Sequence, residues 1–145
     1  MRISKFTDYS LRVMILAAIR YPELVKIDDA SKSFKISRNL MITIIHRLGR
    51  GGFLKTQRGR SGGFTLARPA ESINIADIVR FGEQGVALVE CFDAARNTCV
   101  ITPHCRLKGV LAEARRAFYA VLGKYTVADA SANPEALLEQ IRLSA

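Results

Sequence analysis

The chain has 145 residues, of which 49% are apolar, so it can bury a core and is not expected to be disordered. Its net charge is +9, and the excess lies in the N-terminal half: residues 1–69 hold 14 Lys and Arg against 4 Asp and Glu (+10), and residues 70–145 hold 8 against 9 (−1). This asymmetry indicates a polyanionic partner for the N-terminal half, either nucleic acid or an anionic membrane face.

The N-terminal segment does not look like an export signal. Its first ten residues, MRISKFTDYS, lack the apolar stretch of a secretory signal, and no apolar run along the chain is long enough to cross a bilayer. The sequence therefore predicts a cytoplasmic protein without a membrane partner.

The first predicted helix covers residues 8–20. Thr7 can cap it, Asp8 lies in its first turn, where the helix dipole favours negative charge, and Tyr21-Pro22 ends it. Its apolar face consists of Leu11, Met14, Ile15, Ala18 and Ile19.

Two more helices are predicted, one from about Asp28 to Phe34 and one from a Ser37 cap to about Arg50, with a tight break between them. The buried face of the second helix is expected to contain Leu40, Met41, Ile44, Ile45 and Leu48. Its outer face is polar and basic, with Arg38, Asn39, Thr43, His46, Arg47 and Arg50. This arrangement is typical of a helix-turn-helix, although an ordinary helical hairpin would give the same pattern.

A basic β-hairpin is predicted directly after these helices. Residues 53–58 and 64–68 are strand-like, and a glycine-rich turn between them carries Arg58 and Arg60 at the tip. Together with the preceding helices, the hairpin indicates a winged helix. In such a unit the second helix enters the major groove of DNA, and the wing reaches phosphates or the minor groove.

The predicted fold is mainly α with a small β-hairpin wing: a winged helix-turn-helix over residues 1–70, followed by a connecting helix and a cysteine loop over 71–102. The connecting helix is capped by Asn74 and runs to about Phe81. A long helix over 103–126 is expected to form a dimer interface, and a short helix begins at Asn133-Pro134 in the C-terminal segment 127–145. The long helix keeps one apolar face, with Leu107, Val110, Leu111, Ala114, Phe118, Val121, Leu122 and Tyr125.

The three cysteines, Cys91, Cys99 and Cys105, lie together in the segment with the least regular pattern. Their odd number and the expected reducing compartment disfavour disulfides, and the spacing lacks the short Cys pair of structural zinc sites. Soft thiolates suit an iron–sulfur cluster, which normally needs four ligands. The residues alone leave the fourth ligand open: the candidates are Asp8, Glu90, Asp93, His104 and a small molecule. Structural cysteines that cluster by chance are the alternative.

Four segments resemble the IscR/NsrR-type winged-helix iron–sulfur regulators: 6–12 (FTDYSLR), 36–39 (ISRN), the wing 58–69 (RGRSGGFTLARP) and 88–92 (LVECF). The resemblance extends to about residue 130 and is strongest for the nitric-oxide-sensing members. It implies that the three cysteines bind a cluster, 4Fe–4S rather than 2Fe–2S, with Asp8 of the partner subunit as the fourth ligand. His104 is then expected to be a bystander.

The sequence departs from the family at two places. Residues 40–43 read LMIT where the family often has HLMK after Ser-Arg-Asn, so Ile42 lies near the outer face and the DNA preference is expected to differ. Seven residues separate Cys91 from Cys99, which is more than the spacing that is common in the family.

The sequence therefore predicts a homodimeric repressor that binds a palindromic double-stranded DNA operator and is released by nitric oxide. The residues expected to contact DNA are Ser37, Arg38, Asn39, Thr43, His46, Arg47, Arg58 and Arg60. The alternatives are a sensor of iron or cluster supply, a cluster-free thiol switch, and a constitutive DNA-binding module with structural cysteines. An enzyme is not expected, because no catalytic triad, acid pair or phosphate loop is evident.

Overall fold

Helices make up most of the chain in the computed structural model, which describes residues 3–59, 61–85 and 87–144. Within these ranges it has seven α-helices and one two-stranded antiparallel sheet. The elements in chain order are α1 (Lys5–Arg20), α2 (Ile27–Phe34), α3 (Arg38–Arg50), β1 (Leu54–Gln57), β2 (Gly63–Leu66), α4 (Ile75–Gly82), α5 (Arg106–Leu122), α6 (Val127–Ala130) and α7 (Pro134–Ser144). The predicted fold class, mainly helical with a hairpin wing, is confirmed.

Helix α1 begins one turn earlier than predicted. Ser4, and not Thr7, is its N-cap, and the Ser4 hydroxyl accepts a hydrogen bond from the Thr7 amide at 3.2 Å. Thr7 is fully buried and donates its hydroxyl to Glu83, at the end of α4 and 76 residues away in sequence. A partner distant in sequence therefore decides where this helix starts.

Helices α2 and α3 form the predicted pair. Ser37 caps α3 as expected, accepting from the Leu40 amide at 3.4 Å. The prediction for Leu40 itself is wrong, because its side chain is 39% exposed. It lies just outside the apolar stripe, roughly 100° wide, that the core covers. The buried residues of α3 are Met41, Ile44, Ile45 and Leu48.

The hairpin pairs Leu54 with Leu66 and Gln57 with Gly63. Both strands are shorter than predicted, because β1 ends at Gln57 and β2 covers only Gly63–Leu66. Val25, in the linker between α1 and α2, adds a bridge to β2: its amide donates to the Phe64 carbonyl at 2.8 Å, and the Phe64 amide donates back at 2.9 Å. A side chain at Gly63 would collide with the Val25 carbonyl, so this close approach requires glycine.

The core lies where the winged unit meets α4 and α6. Its largest fully buried side chains include those of Phe64, Met14, Met41, Ile44 and Leu48. Helix α5, by contrast, has no buried residue in this chain, and its Leu107 and Val110 are each 60% exposed. In the part of the chain that the structure describes, no helix has the length and apolarity needed to cross a membrane.

Between α4 and α5 the backbone forms two short 3-10 turns, Glu90–Phe92 and Thr102–His104. The second turn contains Pro103. Helix α5 therefore starts at Arg106, and not at residue 103, where its start was predicted. Helix α6, which the sequence did not predict, is only four residues long and is held by a capping box between Thr126 and Asp129.

Candidate functional site

A basic groove runs between α2, α3 and the hairpin. It is an open cavity of about 720 Å³, and His46, Arg50 and Ile42 of α3 form part of one wall. The cationic side chains along it are Lys26, Arg38, Arg50 and Arg58. All four are exposed, so the groove presents concentrated positive charge to solvent, as a surface that binds the DNA backbone requires.

The predicted DNA-contacting residues divide between this groove and its rim. Arg38, His46 and Arg58 line the groove. Asn39 and Thr43 are exposed on the adjacent face of α3, where the Thr43 hydroxyl donates to the Asn39 carbonyl at 3.0 Å. The groove lining does not include either residue, so they lie beside it.

Three predicted contacts have features that the sequence did not predict. The Ser37 hydroxyl accepts the α3 cap bond, so part of its hydrogen-bonding capacity is already used. The Arg38 guanidinium forms an ion pair with Asp28 at 2.7 Å. Arg47 lies over the Phe6 ring, with its guanidinium carbon 3.7 Å from the ring centroid. Arg60 lies outside the described residues, so its predicted role at the wing tip is not tested.

Two basic residues of the groove were not among the predicted contacts. Lys26 is the residue before α2, and Arg50 is the last residue of α3. The helical period placed Arg50 on the outer face of α3, so the sequence could have identified it as a DNA contact. It could not have identified Lys26, because only the bridge from Val25 to the hairpin brings the α1–α2 linker to the groove.

Cys91 and Cys105 line one open cavity of about 640 Å³, called here the cysteine cavity. Lys108 and Arg115 of α5 also line it, and the Arg115 guanidinium stacks over Phe92 at 4.4 Å from the ring centroid. Two cations and the N-terminus of α5, where Cys105 is the cap residue, give this cavity an environment that favours anionic groups.

Cys99 does not line the cysteine cavity. Its amide donates to the Asn97 side chain at 3.2 Å, and its carbonyl accepts from the Thr102 amide at 3.2 Å, so it is held near the turn that leads to Cys105. All three cysteines are free and partly exposed. Within the described residues, no three metal-binding side chains are grouped closely enough to hold a single ion. The structure thus brings two of the three predicted ligands together.

Asp8 is engaged within its own chain. Its carboxylate accepts two hydrogen bonds from the Arg12 guanidinium, at 2.7 and 3.2 Å, one turn along α1. The Asp8 side chain is 40% exposed, so it is open to a second binding partner. Its predicted role as a ligand in the partner subunit's site remains a prediction.

A partly buried junction connects the start of α1 with the end of α4. The Glu83 carboxylate accepts hydrogen bonds from the Thr7 hydroxyl, from the Ser4 hydroxyl at 2.8 Å and from the Ser4 amide at 2.9 Å. Burial acts to raise the pKa of Glu83, but these hydrogen bonds outweigh it and hold the pKa below its usual value. Gly82 is required beside it, because a side chain there would collide with Thr7. The segment that leads to the cysteines is therefore anchored on the first turn of α1.

Comparison with known proteins agrees with this geometry. The Rrf2 model, described as an iron-dependent transcriptional regulator, matches residues 3–133. Curated relatives include the transcriptional regulator NsrR of Bacillus subtilis, 46% identical over 99% of both chains. The NsrR of Bacillus licheniformis is 42% identical over 93% of this chain and 95% of its own.

Two solved structures have the same fold. The structure of T. potens IscR covers 94% of this chain and 90% of its own at a TM-score of 0.74 and 22% identity. The structure of CymR, the global cysteine regulator of B. subtilis, covers 91% of this chain and 97% of its own at a TM-score of 0.72 and 22% identity. The curated relatives are transcriptional regulators, which agrees with the predicted absence of enzymatic function.

Proposed function

Since the chain belongs to the Rrf2 family of transcriptional regulators, we propose that it is a homodimeric repressor that carries an iron–sulfur cluster and leaves its operator when nitric oxide damages that cluster. The observation that carries the proposal is the position of the cysteines. Cys91 and Cys105 share an open, cation-lined cavity, on a chain whose other end presents a basic groove.

The basic groove supports binding to double-stranded DNA. Helix α3 presents exposed polar and basic side chains for the major groove, and Arg58 on the wing lies across from them for phosphate contacts. The Arg38–Asp28 ion pair is exposed and contributes at most about 1 kcal/mol, so Arg38 can exchange it for a phosphate at little cost.

The exposed face of α5 supports a homodimer. Leu107, Val110 and Val121 are 53–60% exposed in the single chain, on a helix that buries none of its residues there. A face of this kind is covered when two copies pack across a two-fold axis, and dimers of helix-turn-helix proteins read two half-sites about 34 Å apart.

The donor set fits an iron–sulfur cluster. Cys91 and Cys105 present two soft ligands to the cysteine cavity, and Cys99, held near the turn that leads to Cys105, would supply the third. Lys108 and Arg115 would offset the negative charge of a thiolate-bound cluster. Asp8 of the partner subunit would be the fourth ligand, since its carboxylate is partly exposed and can accept a further partner beside Arg12. When bound, the cluster supplies iron that reacts with nitric oxide.

The residues around Asp8 suggest how ligation changes DNA binding. Asp8 lies on the first turn of α1, and Ser4 and Thr7 of the same turn hold Glu83 at the end of α4. A ligand bond to Asp8 would hold this turn against the other subunit's cysteine loop. Without that bond, α1 and the helix-turn-helix that packs on it would be free to move relative to the second half-site.

Two other readings each have one observation in their favour. The family description as an iron-dependent regulator favours a sensor of iron or cluster supply on the same scaffold. The free thiols of Cys91 and Cys105 in one cavity favour a cluster-free thiol switch.

The test is an anaerobic purification of the wild-type protein and of Cys99→Ala, with iron and sulfide per chain measured on both. We expect the wild type to contain both elements and Cys99→Ala to lose them while it keeps its helical content. Nitric oxide should then change the wild-type spectrum and release operator DNA in the same sample. Metal-free wild-type protein would favour the thiol switch. A cluster that withstands nitric oxide, in a protein whose operator affinity still differs between its cluster-loaded and cluster-free forms, would favour the supply sensor.

A further inference from the structure

We propose that Phe6 is a positioning residue for DNA binding: its ring is the platform that holds the Arg47 guanidinium in place to contact a DNA phosphate. The inference rests on the proposed DNA binding by α3 and adds a residue from α1 to that surface.

The stack between the two side chains is close. The Arg47 guanidinium carbon lies 3.7 Å from the Phe6 ring centroid, nearer than the 4.4 to 5.5 Å of the three other arginine–aromatic pairs among the described residues. A planar guanidinium over a ring face directs its N–H groups sideways, where they can form a paired contact with phosphate oxygens.

Phe6 is itself held from behind. Its ring lies 6.4 Å from that of Phe81 on α4, and Phe81 makes an edge contact with Phe53 at 5.4 Å. Gly51, the residue after α3, has room for no side chain, because an added Cβ would lie 2.9 Å from the Phe81 ring. The aromatic platform is thus packed against the end of the same helix that carries Arg47.

Arg47 is available for an anionic partner. Its residue is exposed, and no carboxylate in the described part of the chain lies within ion-pair distance of it, whereas Arg38 is paired with Asp28. The stack therefore orders the guanidinium without neutralising its charge. Such ordering reduces the side-chain entropy that a phosphate contact would otherwise cost.

The position of Phe6 makes this contact depend on α1. Phe6 lies in the same first turn as Thr7, which holds Glu83, and as Asp8. If this turn moves relative to α3, the platform beneath Arg47 moves with it.

The experiment measures operator affinity against salt concentration for anaerobically purified wild type, Phe6→Leu, Phe6→Tyr, Arg47→Gln and the double variant Phe6→Leu with Arg47→Gln. Tyr119→Leu is the matched control, because it removes a different arginine–aromatic pair, that of Arg80 on Tyr119 at 4.9 Å, which involves no residue of α3. Circular dichroism and iron content are measured on each protein.

We expect Arg47→Gln to weaken binding about fivefold and to lower the salt slope by about one unit. Phe6→Leu should weaken binding roughly threefold and lower the slope partway, Phe6→Tyr should restore both, and the double variant should bind no worse than Arg47→Gln alone. Tyr119→Leu should keep wild-type affinity and slope.

If Phe6→Leu kept the wild-type affinity and salt slope, or if the losses were additive in the double variant, the role of Phe6 would be overturned. The proposed function would still stand. A wild-type protein without salt-dependent DNA binding would overturn the proposed function and this inference with it.

Discussion

Three arginines of the DNA-binding surface are held in different ways. Arg38 is paired with Asp28, Arg47 is stacked on Phe6, and Arg58 lies exposed along the groove. Exposed ion pairs and stacks each contribute about 1 kcal/mol or less, so none of these contacts prevents DNA binding. In the proposed complex with DNA, the ion pair and the stack would orient the guanidinium groups of Arg38 and Arg47.

The sequence reveals contacts between neighbouring residues of the chain, but not contacts between different helices. Ser37 was identified as a cap because capping depends on local backbone chemistry. The pair formed by Asp8 and Arg12 could also have been predicted, since residues four apart are neighbours on a helix. The stack of Arg47 on Phe6 could not, because it depends on how α1 packs against α3.

Asp8 gives a prediction for the fourth ligand. Asp8→Ala should keep some cluster on the cysteines but change its spectrum and uncouple it from DNA affinity. Asp8→Cys should strengthen ligation and slow the response to nitric oxide, because a thiolate binds iron more strongly than a carboxylate does. Both variants are reconstituted anaerobically and titrated with nitric oxide while operator binding is followed.

Arg12→Ala is the control for Asp8, because it removes the intrachain ion pair and leaves the carboxylate. We expect its spectrum to match that of the wild type. If both Asp8 variants respond as the wild type does, Asp8 is only a helix-start residue worth about 0.3–1 kcal/mol.

The junction between α1 and α4 predicts a pH dependence of stability. The folded-state pKa of Glu83 lies below its ordinary value of 4.5, so its contribution is fully present above about pH 4.5. That contribution is lost as the pH falls through the folded-state pKa. Glu83→Gln should lower the free energy of unfolding by about 1 kcal/mol at pH 7, since the group is partly exposed, and should remove this part of the acid dependence.

Urea denaturation of the wild type and Glu83→Gln between pH 3 and pH 7 measures this. Glu71→Gln, at an exposed position in the turn before α4, is the matched control and should follow the wild-type curve. Parallel curves for the wild type and Glu83→Gln over the acid range would contradict the assignment.

At the scale of the elements, the hairpin wing gives a prediction about Arg58, the residue that follows β1. Arg58→Ala should weaken operator binding and lower the salt slope by about one unit, because it removes one phosphate contact from the groove. Arg68→Ala is the control, an equally basic exposed residue outside the groove lining. Equal slopes for the two variants would mean that the hairpin does not contact DNA as proposed.

Elements with a strong local signal were predicted with small errors in their ends. Helix α3 and the hairpin carry caps, glycines and periodic apolar residues, so local chemistry defines them. Helix α6 has four residues and depends on Thr126, which bridges to Asn74. A short element held by a distant partner leaves little trace in its own sequence.

At the scale of the molecule, the exposed face of α5 predicts the oligomeric state. Val110→Asp should convert a dimer into a folded monomer, because it places a charge in the middle of the apolar face. Operator affinity should fall by at least tenfold, since only one half-site is then bound per molecule. Light scattering after gel filtration measures the mass, and circular dichroism checks the fold.

Arg116→Asp is the matched control, with the same new residue at an exposed position of α5 away from the apolar face. It should remain a dimer. A dimeric Val110→Asp protein would show that copies associate through another surface.

The sequence predicted some features of the candidate site and left others open. The winged unit and its basic face were predicted because helical period, turn chemistry and charge are local properties. The arrangement of the cysteines was not, because the described residues between α4 and α5 have little regular structure and Cys99 is placed by bonds to Asn97 and Thr102. The dimer contacts depend on a second chain. A single sequence shows only that α5 has an apolar face, and not which residues of the second chain cover it.

The location of the basic groove also affects how the protein finds DNA. The groove lies in residues 1–69, which carry +10, whereas residues 70–145 carry −1, so the positive charge of the chain is concentrated in the part that forms the groove. A molecule of this kind turns toward a polyanion before they touch, which raises the rate of encounter by tenfold or more at low ionic strength. The search for an operator is therefore expected to slow steeply as salt increases, even where the final complex is unchanged.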